Sequence, residues 1–187
     1  MVKQPAYLTN LKAYAKAKYG SDEETDEAVA DLSNESDRGA IILAATSIED
    51  CLELKILDLM PVLKTDEQMR KKLFENDGAV SSFSRKNEMA YALGIISQKT
   101  RKEIDLIREI RNACAHSRKP LSMERLELLE ASKAVIRDML DHIKDHNPKT
   151  IRMAFIVKCG FIAQTVIDGK NYDGPDKQIE YFRNIKI

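Results

Sequence analysis

The sequence predicts an all-α protein, a single bundle of about six or seven helices. Three observations predict it. The 187 residues include only seven Gly and five Pro, while Leu, Ile, Ala, Lys and Glu dominate, a helix-favouring balance. Apolar residues recur at three- and four-residue steps through most segments. Outside the C-terminal tail, no run alternating apolar and polar residues reaches strand length, and hairpin turn signals are absent. At this length one domain is the expectation: peripheral helices in residues 1–34, a core bundle in 35–167 and a tail in 168–187.

Residues 6–19 read as a helix with Tyr7, Leu11, Tyr14 and Ala15 on one side, ended by Gly20. Ser21 to Glu24 is a capping box, and residues 22–37 carry eight Asp or Glu, read as a short exposed helix or an acidic loop. Ser36 begins the longest apolar segment, which Pro61 ends after Met60. Its Ile41, Ala44, Ala45, Ile48, Cys51, Leu52 and Leu59 form one stripe, with Ile42, Leu43, Leu54 and Leu57 on the other side. A helix apolar nearly all round is buried on most sides, so this one is expected at the centre. Glu49, Asp50 and Glu53 ride on it and need partners if buried. The arginines of residues 101–119 are the candidates.

Thr65 to Gln68 is a second capping box, opening a short helix to about Asn76, and Asn76-Asp77-Gly78 is a turn. Ser82 or Ser84 caps a helix running to Leu93, with Gly94 behind it. Ser97 caps the following helix, which Pro120 stops. Ser122 caps the next, whose Leu126, Leu129, Val135, Ile136, Leu140 and Ile143 keep a 3.6-residue period. Asn147-Pro148 opens the last apolar helix, to about Val166.

Lys plus Arg equals Asp plus Glu at 30 each, so the formal net charge is zero. A dedicated DNA binder usually carries a basic excess, so nucleic acid is a possible but disfavoured partner. Three cysteines, Cys51, Cys114 and Cys159, lie in apolar helical patterns with no C-x-x-C pair and read as buried reduced thiols. The N-terminus lacks a signal-peptide pattern, and no run approaches the roughly 18 apolar residues of a membrane span. The expectation is a cytoplasmic soluble protein without membrane association. His142 and His146 stand four apart beside Asp138, Asp141 and Asp145. The spacing suits two metal ligands on a helix, but histidines at a helix end also suit its dipole, and no metal or cofactor is expected. Phosphate-loop, dinucleotide, zincin and nucleophile-elbow signatures are absent.

Residues 101–119, RKEIDLIREIRNACAHSRK, carry the candidate site. Ile107, Ile110 and Cys114 form the core stripe, widened by Leu106 and Ala113. Asp105, Arg108, Asn112 and His116 form the opposite row, and Arg111 sits at the border. His116 falls in or just past the last turn, where the dipole favours a protonated imidazole. The site residues are Arg111, Asn112 and His116, with Arg108, Glu49, Asp50 and Ser117 as candidates for binding around them.

Two resemblances attach to these residues. Glu35-Ser36-Asp37-Arg38-Gly39-Ala40, Ser82-Phe83-Ser84, Ala90-Tyr91-Ala92-Leu93-Gly94, the stretch from Ile107 to Asn112, then Ala115-His116-Ser117 and Pro120-Leu121-Ser122 resemble the mannitol operon repressor family, in order, over residues 35 to about 125. The resemblance implies an all-helical cytoplasmic bacterial regulator of sugar-alcohol uptake. It supplies no DNA-reading element, so a regulatory role implies contact with a protein partner or with a second copy as a homodimer. Arg-Asn-x-x-x-His at Arg111 to His116 is similar to the motif of HEPN domains, many of which are metal-independent ribonucleases built as dimers. That implies Arg111 as phosphate clamp, His116 as proton shuttle and Asn112 as an orienting group. The same residues also admit a structural role, with Arg111 paired to Asp50 or Glu49 and His116 capping terminal carbonyls.

Overall fold

The structure is a computed structural model and describes Leu32 and residues 34–169. The helix expected at 6–19, the acidic segment up to residue 31 and the tail from residue 170 lie outside the described residues. The chain divides into two units, Met1–Asn34 and Glu35–Ile187, and the fold below is that of the second.

It is all-α. Among the described residues there are seven α-helices, one 3-10 helix and no strand. They are α1 (Asp37–Leu59), α2 (Val62–Thr65), α3 (Glu67–Phe74), α4 (Phe83–Ala92), α5 (Gln98–His116), α6 (Leu126–Val135), the 3-10 helix Arg137–His142, and α7 (Pro148–Asp168). Five helix starts are fixed by short polar side chains that accept from a backbone N–H three residues on: Ser36 for α1, Asp66 for α3, Ser82 for α4, Ser97 for α5 and Asn147 for α7. Such a cap contributes about 1 kcal/mol.

Gly78 is required where it stands. The Val80 N–H donates to the Leu73 carbonyl at 2.8 Å, and a Cβ on Gly78 would lie 2.3 Å from that same oxygen. The turn therefore folds its backbone onto the end of α3 more closely than a side chain allows.

α1 and α7 run parallel at the centre. At their N-terminal ends the Asp37 carboxylate meets the Arg152 guanidinium at 3.1 Å. At their C-terminal ends Lys55 Nζ donates to the Ile167 carbonyl at 2.8 Å. α4 and α5 pack on α1, and α6 packs on α7 and α5. Ile41, Ile48, Leu52 and Ile56 of α1 meet Ile104, Ile107 and Ile110 of α5 and Ile151, Phe155 and Ile162 of α7 in one core. Burying one such side chain contributes about 1.5–3 kcal/mol.

α1 lies at the centre as expected, but Leu43 and Leu59 are about half exposed, whereas residues 151–159 of α7 are buried without a break, so α7 is the more enclosed of the two. α7 also has the length and mean hydropathy, 1.5, of a membrane-spanning helix, contrary to the expectation that no run comes near one; 72% of that stretch is buried within the fold, so it is the core helix here. α5 stops at His116, three residues before Lys119, because Ser117 leaves helical geometry at φ −64°, ψ 129°. Ser122 caps nothing. α6 begins at Leu126 behind Arg125, which makes no side-chain cap bond, and the regular helix expected to reach Ile143 changes to 3-10 geometry after Val135.

Candidate functional site

α5 buries Ile104, Ile107, Ile110 and Cys114, spaced to form one stripe. Burial of Cys114 pushes its thiol pKa up, against the opposing charge of Arg38; burial does the same to Cys159. Both are unreactive as nucleophiles in this state. Cys51 is half-buried.

At 100° per residue, Arg111 lies roughly 40° from the middle of the buried stripe and His116 roughly 180° from it. The guanidinium and imidazole of the motif therefore leave the helix on different sides. Arg111 turns toward α1, where Nη2 meets Glu49 at 3.5 Å, and its Nη1 donates to Asn112 Oδ1 at 3.1 Å. His116 is exposed in the final turn, and its ring makes no hydrogen bond or ion pair among the described residues. Arg108 is half-buried and pairs with Glu109 at 2.6 Å. Asp50 lies on the exposed side of α1.

Glu49 and Glu53 find their principal partner on α4, a partner the sequence reading missed. Lys86 is only 6% exposed, with Nζ 3.1 Å from Glu49 and 2.8 Å from Glu53. Burial works against the Lys86 charge, but the hydrogen bond to Glu53 and the two carboxylate charges outweigh it and hold its pKa above the ordinary lysine value. Beside it Asn87, fully buried, donates to the Arg101 carbonyl at 2.9 Å and to Asp105 at 3.0 Å. A polar layer thus joins α1, α4 and α5, with Arg111 and Asn112 at its edge and His116 outside it. The pattern held a signal for this: Lys86 follows the buried Phe83 by three residues and precedes the buried Ala90 by four.

The loop after His116 is held from α1. Arg38 donates to the Ala115 carbonyl at 3.0 Å and to the Ser117 carbonyl at 3.3 Å. Arg38 thus has the terminal-carbonyl role considered for His116, consistent with a cation at a helix C-terminus. Asp37 accepts from the Met123 N–H at 2.7 Å while paired with Arg152, which donates to the Glu35 carbonyl at 2.7 Å. Ser117 closes a small turn, its hydroxyl donating to the Lys119 carbonyl at 2.8 Å. The stretches Glu35–Ala40 and Ala115–Ser117, far apart in sequence, therefore meet, with His116 between the two carbonyls that Arg38 holds.

His142 and His146 do not share a helix face. The 3-10 helix ends at His142, and His146 lies beyond it, its Nε2 3.2 Å from the Leu140 carbonyl and 3.1 Å from that of Ile143. No group of three or more His, Cys, Asp or Glu placed to hold a metal ion occurs among the described residues.

Comparison of the chain with models of known families, with curated proteins and with solved structures finds no match.

Proposed function

We propose that the protein is a transcriptional regulator resembling the mannitol operon repressor, acting in the cytoplasm as a homodimer through protein contact rather than by reading DNA. One observation carries this choice. Each arginine of α5, the helix richest in arginine, already faces a carboxylate: Arg101 faces Asp105 at 3.8 Å, Arg108 faces Glu109 at 2.6 Å, and Arg111 faces Glu49 at 3.5 Å. Phosphate affinity comes from cations free to release counterions, and paired guanidinium groups offer little of that. The stretch Ala90–Gly94 also leaves Tyr91 and Leu93 exposed, with the Arg101 guanidinium 5.3 Å from the Tyr91 ring centre. Exposed aromatic and arginine side chains are the types enriched where proteins meet.

Two measurements test the reading. Fluorescence anisotropy of the pure protein on the control region of a sugar-alcohol uptake operon should show no sequence-dependent binding; tight, sequence-selective binding would contradict it. In a reporter strain, Tyr91→Glu with Leu93→Glu should relieve repression while leaving circular dichroism and Tm unchanged. Full repression by the folded double variant would remove the surface from consideration.

A second reading, a metal-independent ribonuclease, is favoured by the exposure of His116 at the end of α5. Because Arg111 and His116 leave the helix on different sides, this chemistry calls for the imidazole of one copy to meet the guanidinium of another. Wild type and His116→Ala are compared on structured RNA in chelator. Cleavage by wild type alone supports this reading, and no cleavage by either ends it.

A further inference from the structure

The stretch from the start of α6 to the residue before α7 has a regular helical sequence, yet after Val135 its backbone is irregular. Its buried residues are Leu128, Ser132, Val135, Ile136, Met139 and Ile143. On one uninterrupted α-helix all six would fall within roughly 100° of each other, so the observed packing does not require the helix to break. Yet the backbone leaves α geometry at Ile136 (φ −97°, ψ 22°) and continues as a six-residue 3-10 helix. Runs of 3-10 helix beyond about three or four residues are uncommon because the hydrogen-bond geometry is poorer. Something outside the segment must hold this one.

Two groups do so. Lys158 of α7 is 2% exposed and needs carboxylate partners there. Its Nζ lies 2.9 Å from Asp138 Oδ2, inside the 3-10 helix, and 3.2 Å from Glu103 of α5. Lys99 of α5 approaches the same Asp138 oxygen at 3.4 Å. The other oxygen, Oδ1, is buried without a hydrogen-bond partner among the described residues, so Asp138 is placed by its lysines at the expense of its own remaining acceptor. At the far end, the His146 ring serves the Leu140 and Ile143 carbonyls, the first of which a continuing α-helix would give to the backbone of residue 144.

We propose that residues 136–143 form a conformational switch between 3-10 and α-helix, set to 3-10 by the buried Lys158–Asp138 ion pair. The two forms differ in length by about 3 Å over six residues, at about 2.0 and 1.5 Å per residue. Switching would therefore reposition the exposed residues Asp141 and 144–147 and slide Ile143 along the helix axis, while keeping the buried residues on one face. A partner that prefers one arrangement of that surface would select the corresponding helix.

Solution NMR of the full chain tests this. Wild type should show sequential αN(i,i+2) contacts through residues 137–142. Asp138→Asn, which keeps Lys158 paired with Glu103, should replace them with αN(i,i+4) contacts and a protected Asp141 amide, and Lys158→Met should do the same if it folds. Folded Asp138→Asn with the αN(i,i+2) pattern intact would overturn the proposal. So would a wild type already α-helical over this segment.

Discussion

Removing the Lys86 ammonium would leave Glu49 and Glu53 with like charges on one face of α1, in a space largely closed to water. Breaking a buried pair by deleting one partner costs about 3–5 kcal/mol. The two carboxylates keep 16% and 30% side-chain exposure, so Lys86→Ala should cost toward the lower end, about 3 kcal/mol, read as a lowered urea midpoint at unchanged slope. His116→Ala, at an exposed ring with no hydrogen bond, should stay within about 0.5 kcal/mol of wild type in the same assay. A midpoint for Lys86→Ala equal to wild type would mean the ammonium is hydrated rather than paired. Neither buried lysine was legible beforehand, because a lysine in a helical pattern reads as a solvated face. Its burial depends on partners distant in sequence, 37 residues away for Lys86–Glu49 and 20 for Lys158–Asp138. The one local cue was position: Lys158 follows the buried Phe155 by three and precedes the buried Ile162 by four.

At the scale of elements, local signals served well wherever the deciding chemistry was local. Ser36, Ser82, Ser97 and Asn147 cap helices because each cap is settled within three residues; Asp66 caps α3 in place of Thr65, which ends α2. Ala113, expected to widen the α5 stripe, is exposed, whereas Ile107, Ile110 and Cys114 of that stripe were legible for the same reason. The end of α5 and the break after Val135 were not, since Arg38 and Lys158 reach them from other helices. The central place of α1 was legible from its apolar pattern; that α7 beside it is the more enclosed was not, because only packing decides which of two apolar helices is covered. Gly160 offers a test within α7. It lies mid-helix and exposed, with nothing among the described residues within 4 Å of an added Cβ. Gly160→Ala should therefore stabilise by up to about 1 kcal/mol, raising Tm. Destabilisation would show that this face of α7 is occupied.

At the scale of the whole molecule, two ionic layers among the described residues contribute stability that depends on pH. Burial works to raise the Asp138 pKa, but the hydrogen bond and charge of Lys158, with Lys99, hold it below its ordinary 3.8. The folded protein then binds fewer protons than the unfolded chain around that pH, so stability rises with pH there. This contribution is present above the unfolded value and is lost as pH falls through the folded one. Lys86 has the opposite sign: with its pKa raised above the ordinary 10.5, its contribution is full below 10.5 and lost as pH climbs through the folded value. Urea unfolding across pH should give a plateau between these limits, and Asp138→Asn should flatten the acid limb. An acid limb as steep in Asp138→Asn as in wild type would exclude this carboxylate as its source.

The placement of Arg111 decides how the motif is understood, because a guanidinium engaged with α1 serves the fold first. A double-mutant cycle on unfolding free energy, using Arg111→Met, Glu49→Gln and the double variant, measures that engagement directly. Coupling of about 1 kcal/mol or more is expected for a partly buried contacting pair. Strictly additive effects would contradict the account and leave the Arg111 guanidinium unengaged with Glu49.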